Sequence, residues 1–123
     1  MVRILLLMIL LHIIDDFVLQ PVSLSQLKQK EWWRNCEGYN DRYKNDYVAA
    51  LVIHGISWSI MIHLPILFLT AYNPLIVLIS VFLNAVCHSL TDHFKANLKK
   101  INLITDQYIH LLQILCTAGI FIP

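Results

Sequence analysis

Pairs of histidine and aspartate recur along this sequence at one spacing. Each pair is separated by four positions, and the pairs are His12 with Asp16, His88 with Asp92, and Asp106 with His110. Residues four apart lie on the same face of an α-helix. Imidazoles and carboxylates without a neighbouring thiolate form a donor set that suits Zn²⁺, and also Mn²⁺ or Fe²⁺. The recurrence therefore predicts a divalent metal site, with zinc favoured, built from several helices.

The first pair lies in a segment that otherwise has the composition of a membrane span. Residues 5–11 are seven consecutive apolar residues, and His12 and Asp16 follow them. A carboxylate deep in a transmembrane helix costs on the order of 3 kcal/mol. The three paired acids, which include Asp92 and Asp106, therefore need protonation, pairing with histidine or lysine, or a bound cation.

Composition and segment length predict the elements that carry these pairs. The chain has 123 residues, of which 58% are hydrophobic and 14% charged, and its formal net charge is +1. This balance is typical of a membrane protein and offers no basic surface for nucleic acid. Apolar segments of bilayer length predict transmembrane helices at about 2–20, 47–70, 74–98 and 103–122. We expect one all-α integral membrane domain over residues 1–123, a four-helix up-down-up-down bundle with a short interfacial helix in the first loop.

The cations of the connecting segments predict an orientation. Eight of the nine Lys and Arg residues belong to the first loop or flank the last turn: Lys28, Lys30, Arg34, Arg42, Lys44, Lys95, Lys99 and Lys100. Only Arg3 lies on the other side. The positive-inside rule then places both termini outside and both basic connections in the cytoplasm of a bacterial inner or plasma membrane.

This topology brings the polar residues into one layer near the cytoplasmic helix ends, roughly 5–16 Å deep at 1.5 Å per residue. The predicted metal ligands are His12, His54, His88, Asp106 and His110. The predicted catalytic residues are Asp16, Asp92 and Lys95, with Lys95 either meeting a phosphate or neutralising Asp92. Gln20 and Gln107 border the layer and are predicted to hold a substrate headgroup. Asp15 is a candidate orienting acid, and His63 and His93 are expected to lie apart from the site.

Four short stretches also carry a family resemblance: "HIIDDFVLQ", "HGISWS", "HSLTDHFK" and "TDQYIH". Together they resemble an uncharacterised bacterial and phage membrane family, domain of unknown function 3307, over nearly the whole chain. The resemblance implies a membrane protein with a polar His/Asp core and no established activity. It carries over these positions: His12, Asp16, Phe17, Gln20, His54, His88, Asp92, Lys95, Asp106, Gln107 and His110. A looser likeness, in architecture only, is to membrane-bound metal-dependent hydrolases.

Functions from three classes fit these features. The first is an intramembrane metal-dependent hydrolase acting on a lipid or lipid-linked ester or phosphoester. The second is a small ion or proton transporter or channel, which the apolar outer helix halves disfavour. The third is a non-catalytic membrane regulator, in which the polar layer only holds helices together. Membrane lipid is the expected partner, and a homo-oligomer stays open. Cys87 and Cys116 lie in apolar runs and are predicted to be buried.

Overall fold

Helices are the only regular secondary structure over residues 2–121, the part that this computed structural model describes. The long helices are α1 (Val2–Ile13), α4 (Asp46–Leu69), α5 (Pro74–Ala96) and α6 (Leu103–Phe121), and α1 continues as a π-helical segment over Ile14–Leu19. The first loop contains α2 (Val22–Leu27), α3 (Lys30–Arg34) and a 3₁₀ turn (Asp41–Tyr43). The all-α prediction is confirmed. Helices α4 and α5 begin and end within two residues of the predicted bounds, α6 begins at the predicted residue, and the first helix reaches Leu19 only with its π-helical continuation. The predicted end at residue 122 lies outside the described residues.

Two of the long helices have the length and apolar composition to cross a membrane. These are α4 and α5, the latter spanning 23 residues. The first helix changes to π-helical geometry at Ile14, and α6 carries Asp106, Gln107 and His110 near its start. That these two helices also span a membrane stays a prediction.

The bundle buries many polar side chains and exposes many large apolar ones. Histidines, aspartates, serines and threonines occupy much of the buried interior, whereas large apolar residues on every long helix are exposed, among them Leu6, Ile53, Leu78 and Ile104. A soluble helical bundle has the reverse distribution. Cys87 and Cys116 belong to this outer surface, so the prediction that they are buried is wrong.

Side-chain caps fix where α5 and α6 begin. Asn73 Oδ1 accepts a hydrogen bond from the backbone N–H of Leu75 at 2.9 Å, and Pro74 follows in the first helical position. Asn102 Oδ1 accepts one from the N–H of Thr105 at 2.9 Å. Each cap satisfies a backbone donor that the helix leaves unpaired, and so sets the register of the helix that follows.

The four long helices pack as a ring, in which α4 lies against α1 and α5, and α6 lies against α5 and α1. Helix α4 approaches α5 closely at Gly55, where an added Cβ would collide with Ser89 Oγ and with the Ala85 carbonyl oxygen. Ser89 Oγ also donates to the Leu51 carbonyl of α4 at 3.0 Å. The residue before Gly55 and the residue before Ser89 are both histidines, so this crossing brings the two rings together.

The interior changes character along the bundle. Towards the end that carries the chain termini, buried apolar side chains form a core that includes Ile62, Ile66, Val77 and Ile114. At the other end, which we call the loop end, the first loop and the α5–α6 turn meet. The buried side chains there are mostly charged or imidazole groups.

The first loop is fastened to the end of α5 by one amide. Asn97 Nδ2 donates to the Lys28 carbonyl at 2.9 Å, and its Oδ1 accepts from the backbone N–H of Lys30 at 2.6 Å. Trp33 Nε1 donates to the Leu27 carbonyl at 2.8 Å. The short helix predicted in this loop is present as two pieces, α2 and α3.

Candidate metal centre

Six side chains from four helical segments converge at the loop end of the bundle. Three imidazole Nε2 atoms face the carboxylate oxygens of three aspartates, and we call this set the His/Asp centre: Asp16, His54, His88, Asp92, Asp106 and His110. All three histidines and two of the aspartates are at most 2% exposed. The side chain of Asp16 is 8% exposed. The site is therefore almost fully enclosed.

Two His–Asp spacings within the centre are close to that of neighbouring ligands on one ion, and the other four are 3.7–3.9 Å. His54 Nε2 lies 3.3 Å from Asp16 Oδ1, and His110 Nε2 lies 3.4 Å from Asp106 Oδ1. Ligand atoms of a tetrahedral zinc, at about 2.0–2.1 Å from the metal, are roughly 3.3 Å apart.

Several imidazole and carboxylate atoms of the centre lack a hydrogen-bond partner. Within residues 2–121, the buried side-chain atoms without a hydrogen-bond partner all belong to the centre or to Asp15: Asp15 Oδ2, Asp16 Oδ1, His54 Nε2, His88 Nδ1, His88 Nε2, Asp106 Oδ1 and His110 Nε2. Buried polar groups in folded proteins are almost always paired, with protein, water or an ion. This concentration of unpaired donors marks the place where an ion would supply the missing partner.

Two overlapping groups of side chains could hold a metal ion. One consists of Asp16, His54 and His88, and the other of His88, Asp92 and His110, with the donor atoms of each group within 4.8 Å of one another. His88 belongs to both. Asp92 turns Oδ2 towards His54 at 3.7 Å and Oδ1 towards His110 at 3.8 Å. The carboxylate of Asp92 thus lies between the two groups.

The π-helical segment explains how helix one supplies two inward acids. Adjacent residues of an α-helix point about 100° apart, since 3.6 residues complete a turn. A π-helix places more residues in each turn and is frequent at functional sites. Over Ile14–Leu19 this geometry keeps both Asp15 and Asp16 inside, with Asp15 2% exposed.

Side chains outside the centre contact the Nδ1 atoms of two imidazoles, whose Nε2 atoms face the centre. Asp15 Oδ2 lies 3.6 Å from His54 Nδ1, on the opposite side of the ring from the centre, and Asp15 Oδ1 accepts from Ser57 Oγ at 2.8 Å. His110 Nδ1 lies 3.2 Å from Gln113 Oε1, and because an amide oxygen only accepts, Nδ1 carries the proton. The Nε2 lone pair of His110 is then directed at the centre. Metal-binding histidines typically have such a partner.

Trp58 closes the centre towards the apolar core. Its ring is fully buried and stacks on His88 with 4.3 Å between ring centroids and an interplanar angle of 25°. His88 stacks in turn on His110, with centroids 4.0 Å apart. This packing fixes the ring planes and excludes water from one side of the site.

His12, predicted as a ligand, lies beside the centre with both ring nitrogens engaged. Trp58 Nε1 donates to His12 Nδ1 at 2.8 Å, and His12 Nε2 lies 3.1 Å from Gln107 Oε1. His12 belongs to neither group that could hold a metal. Its place in the structure is that of a hydrogen-bonded neighbour.

Gln107 and Gln20, both predicted to hold a substrate, occupy different surroundings. Gln107 Nε2 donates to Asp16 Oδ2 at 3.3 Å and to Asp106 Oδ2 at 3.2 Å, so its amide is used within the site. Gln20 Oε1 accepts from Lys28 Nζ at 3.0 Å and lies at the edge of the site. Of the two, only Gln20 lines a cavity that reaches the centre.

Two lysines neutralise part of the negative charge. Lys28, from the first loop, is 4% exposed and places Nζ 2.5 Å from Asp92 Oδ2. Lys95 Nζ lies 2.5 Å from Asp106 Oδ2 and 3.3 Å from Asp92 Oδ1. With Asp15 and Asp16 included, four carboxylates face two ammonium groups. If the imidazoles are neutral, as metal ligation requires, a net charge of minus two remains. One divalent cation would balance it.

A second set of polar side chains, all buried except the half-buried Gln113, extends from His110 towards the other end of the bundle. We call it the amide network, and it consists of His63, Ser80, Asn84, Gln113 and Thr117. Gln113 Nε2 donates to Asn84 Oδ1 at 3.3 Å, and Asn84 Nδ2 donates to Thr117 Oγ1 at 2.9 Å. His63 Nε2 lies 2.9 Å from Ser80 Oγ. His63 thus lies apart from the site, as does His93, which stacks on Tyr47.

Three cavities near the site differ in what lines them. A groove of about 660 Å³ between α5 and α6 and one of about 430 Å³ between α4 and α5 are almost entirely apolar, and no member of the His/Asp centre lines either. A polar cleft of about 370 Å³ at the loop end is lined by Gln20, Ser25, Lys28, Gln29, Asp92, Lys95 and Ala96. Asp92 connects this cleft to the centre.

Sequence reasoning missed Lys28, Trp58 and Gln113. Trp58 follows His54 by four positions and Gln113 follows His110 by three, so helical spacing could have placed both beside the site. Lys28 had no such signal, because its position depends on how the first loop folds back onto α5.

Comparison with protein-family models, with curated proteins and with solved structures finds no match to this chain.

Proposed function

We propose that this chain is an integral membrane, metal-dependent hydrolase whose His/Asp centre opens at the loop end of the bundle. The observation that carries the proposal is the convergence of unpaired imidazole and carboxylate atoms from four helical segments at ligand spacing. The excess of two negative charges supports a divalent cation in particular. Three nitrogen donors and several oxygen donors without a thiolate favour Zn²⁺, with Mn²⁺ or Fe²⁺ as the other fitting ions.

The proposed ligands differ in part from those predicted from the sequence. His54, His88 and His110 keep that role. Asp16 joins them as a member of the first potential group and Asp92 as a member of the second, whereas Asp106, predicted as a ligand, belongs to neither. His12 is replaced, since its two ring nitrogens already have partners.

The surroundings of the centre support hydrolysis. A bound divalent cation lowers the pKa of a water molecule to near neutrality and polarises an ester or phosphoryl oxygen. Asp106 keeps Oδ1 free while Lys95 and Gln107 hold its Oδ2. We assign Asp106 the role of general base, which accepts the proton of the attacking water through Oδ1. Lys95 borders the cleft and offsets negative charge that develops on the substrate.

Lipid surroundings are supported by the apolar outer surface and by the two helices of membrane-spanning length. We propose four spans, with the termini outside and the loop end in the cytoplasm, because eight of nine Lys and Arg residues lie at the loop end. Single cysteines introduced at Lys99 and at Thr70, in a variant without native cysteines, test this orientation. A membrane-impermeant reagent applied outside should label position 70 only, and outside labelling of position 99 would overturn the orientation.

The hydrolase proposal is tested with purified protein in lipid nanodiscs. Zinc-loaded and chelator-treated protein are compared for cleavage of a lipid carboxyl ester and a lipid phosphoester. Removing a general base typically costs about 10²- to 10⁴-fold in rate, so Asp106→Asn should keep its zinc and lose activity on that scale. Asp41→Asn, a change of the same type at an exposed loop position, serves as the control. Equal turnover with and without metal would contradict the proposal.

The amide network favours one alternative, a proton or ion pathway. It carries hydrogen-bonded polar groups from His110 towards the other end of the bundle. Passage of a proton through it would require the amides of Asn84 and Gln113 to exchange donor and acceptor atoms, which a carboxamide does not do readily. We therefore rank this alternative second. Metal-independent proton uptake by proteoliposomes, abolished by Asn84→Ala, would reverse the ranking.

A further inference from the structure

The polar cleft beside Asp92 has no role in the metal site itself, and its lining indicates what it binds. The cleft measures about 370 Å³, near the small end of ligand pockets, which begin at about 300 Å³. Both lysines that contact the centre, Lys28 and Lys95, line it, together with the side chains of Gln20 and Ser25. The opening towards the centre is therefore cationic and rich in hydrogen-bond donors.

Lys28 is held in this place by the fold. It comes from the first loop, yet its side chain is only 6% exposed. Asn97 fixes the loop backbone on both sides of it through the Lys28 carbonyl and the Lys30 N–H. Gln20 Oε1 accepts from its ammonium group. A lysine used only for membrane orientation would lie in solvent, as Lys99 does with a side chain 75% exposed.

Both ammonium groups contact the Asp92 carboxylate in this structure, Lys28 at 2.5 Å and Lys95 at 3.3 Å. A cation ligated by Asp92 would satisfy that carboxylate. Lys28 would then lose its carboxylate partner and present its positive charge to the cleft, while Lys95 would keep Asp106 Oδ2, 2.5 Å away, as its remaining partner. A neutral carboxyl ester gains little from such charge, whereas a phosphate group is bound well by lysine ammonium groups.

We propose that the cleft is the substrate subsite of this centre and that it binds a phosphate monoester group, with Lys28 and Lys95 as its cationic contacts. This inference rests on the proposed metal-dependent hydrolase and names its substrate class. The group belongs either to a lipid headgroup or to a soluble phosphomonoester, since both present the same dianion to the cleft.

The test is calorimetric titration of zinc-loaded protein, in phosphatidylcholine nanodiscs, with inorganic phosphate and with acetate. Wild type should bind phosphate at least tenfold more tightly than acetate. Lys28→Gln should weaken phosphate binding at least tenfold, and Lys28→Arg should restore most of it. Lys30→Gln makes the same charge change two residues away, where Nζ lies over the Tyr47 ring at 5.9 Å, and should bind as wild type does.

Bound zinc is measured in each sample, so that two failures are distinguished. If wild type holds zinc but binds acetate and phosphate with equal affinity, the phosphate subsite is wrong and the metal centre is unaffected. The same conclusion follows if zinc-loaded Lys28→Gln binds phosphate with unchanged affinity. Wild type that holds no zinc overturns the proposed function. The wild-type comparison decides the matter even if Lys28→Gln does not fold.

The source of the phosphate group is decided by adding phosphatidic acid to the nanodiscs. If the lipid headgroup reaches the cleft, inorganic phosphate should bind several-fold more weakly in these nanodiscs than in phosphatidylcholine alone. Unchanged phosphate binding, with competition from a soluble phosphomonoester such as glycerol phosphate, assigns the cleft to soluble substrates. If neither competes, the proposal is wrong.

Discussion

The His/Asp centre and the amide network are both buried, both polar and carried largely by the same helices, yet their hydrogen bonding differs. In the amide network, Asn84 donates and accepts within the network, Gln113 donates to Asn84, and His63 has partners at both ring nitrogens. In the centre, His88 has a partner at neither. A polar cluster that only joins helices is expected to satisfy its own donors and acceptors. The contrast supports the proposal that the centre, which could hold a metal ion, does so.

The largest expected effect separates the two sets by metal content. His88→Ala removes the one side chain shared by both potential metal groups and should reduce bound zinc to the background level. His63→Ala removes a histidine of the amide network and should leave zinc unchanged. Elemental analysis of the purified proteins measures this. Equal zinc content in wild type and His88→Ala would contradict the proposed metal site.

The next effect is on stability. A metal that binds only the folded protein adds RT ln(1 + [L]/Kd) to the free energy of unfolding, about 2.7 kcal/mol at a free concentration of 100 times Kd. Chelation should therefore lower the melting temperature of wild type and shrink the difference between wild type and His88→Ala. The difference between wild type and His63→Ala should not change. A wild-type melting temperature that is indifferent to chelator would exclude a stabilising metal.

A third change acts at Gln113, the member of the amide network that contacts His110 of the His/Asp centre. Gln113→Ala removes the acceptor that orients His110 and should weaken zinc binding by about 10- to 100-fold, the usual cost of losing an orienting partner. Thr117→Ala breaks a hydrogen bond inside the amide network only, and should cost about 1 kcal/mol of stability at constant zinc affinity. Competition with a chromophoric chelator gives both affinities. Equal loss of zinc affinity in the two variants would mean that the amide network acts as one structural unit.

The smallest expected effect concerns the helix crossing. Gly55→Ala places a methyl group against Ser89 Oγ and the Ala85 carbonyl oxygen. Such overpacking typically costs about 1–3 kcal/mol, and it should also separate His54 from His88 and weaken zinc binding. Gly119→Ala meets nothing within 4 Å and should be neutral or slightly stabilising. Denaturation of both variants in detergent compares them, and equal stability would show that the crossing can widen freely.

Helix positions and the common depth of the polar residues could be predicted from the sequence, because both depend on local periodicity and length. The pairing of His88 with Asp92 and of Asp106 with His110 follows directly from four-residue spacing. The partners of individual ring nitrogens do not. His12 has the same spacing to Asp16, but Trp58 and Gln107, which come from other helices, occupy its nitrogens.

The positions of Asp15 and Lys28 show two further limits of sequence reasoning. Ideal helix geometry turns Asp15 away from Asp16, and only the π-helical segment places both inside. Lys28 reaches Asp92 because Asn97, 69 residues further along the chain, holds its backbone. Neither effect leaves a local pattern, since each arises from contacts between distant segments.

The π-helical segment over Ile14–Leu19 also bears on how this chain tolerates insertions and deletions. A π-helical hydrogen bond joins residues five apart, whereas an α-helical one joins residues four apart, so a π-helical turn contains one extra residue. Removing one residue here would allow a regular α-helix with better local hydrogen bonding, and would rotate one of the two acids out of the interior. Regular helix geometry and the placement of both acids in the site therefore require different backbone conformations at this turn. Amide hydrogen exchange should report this conflict as faster opening of Ile14–Leu19 than of Val2–Ile13.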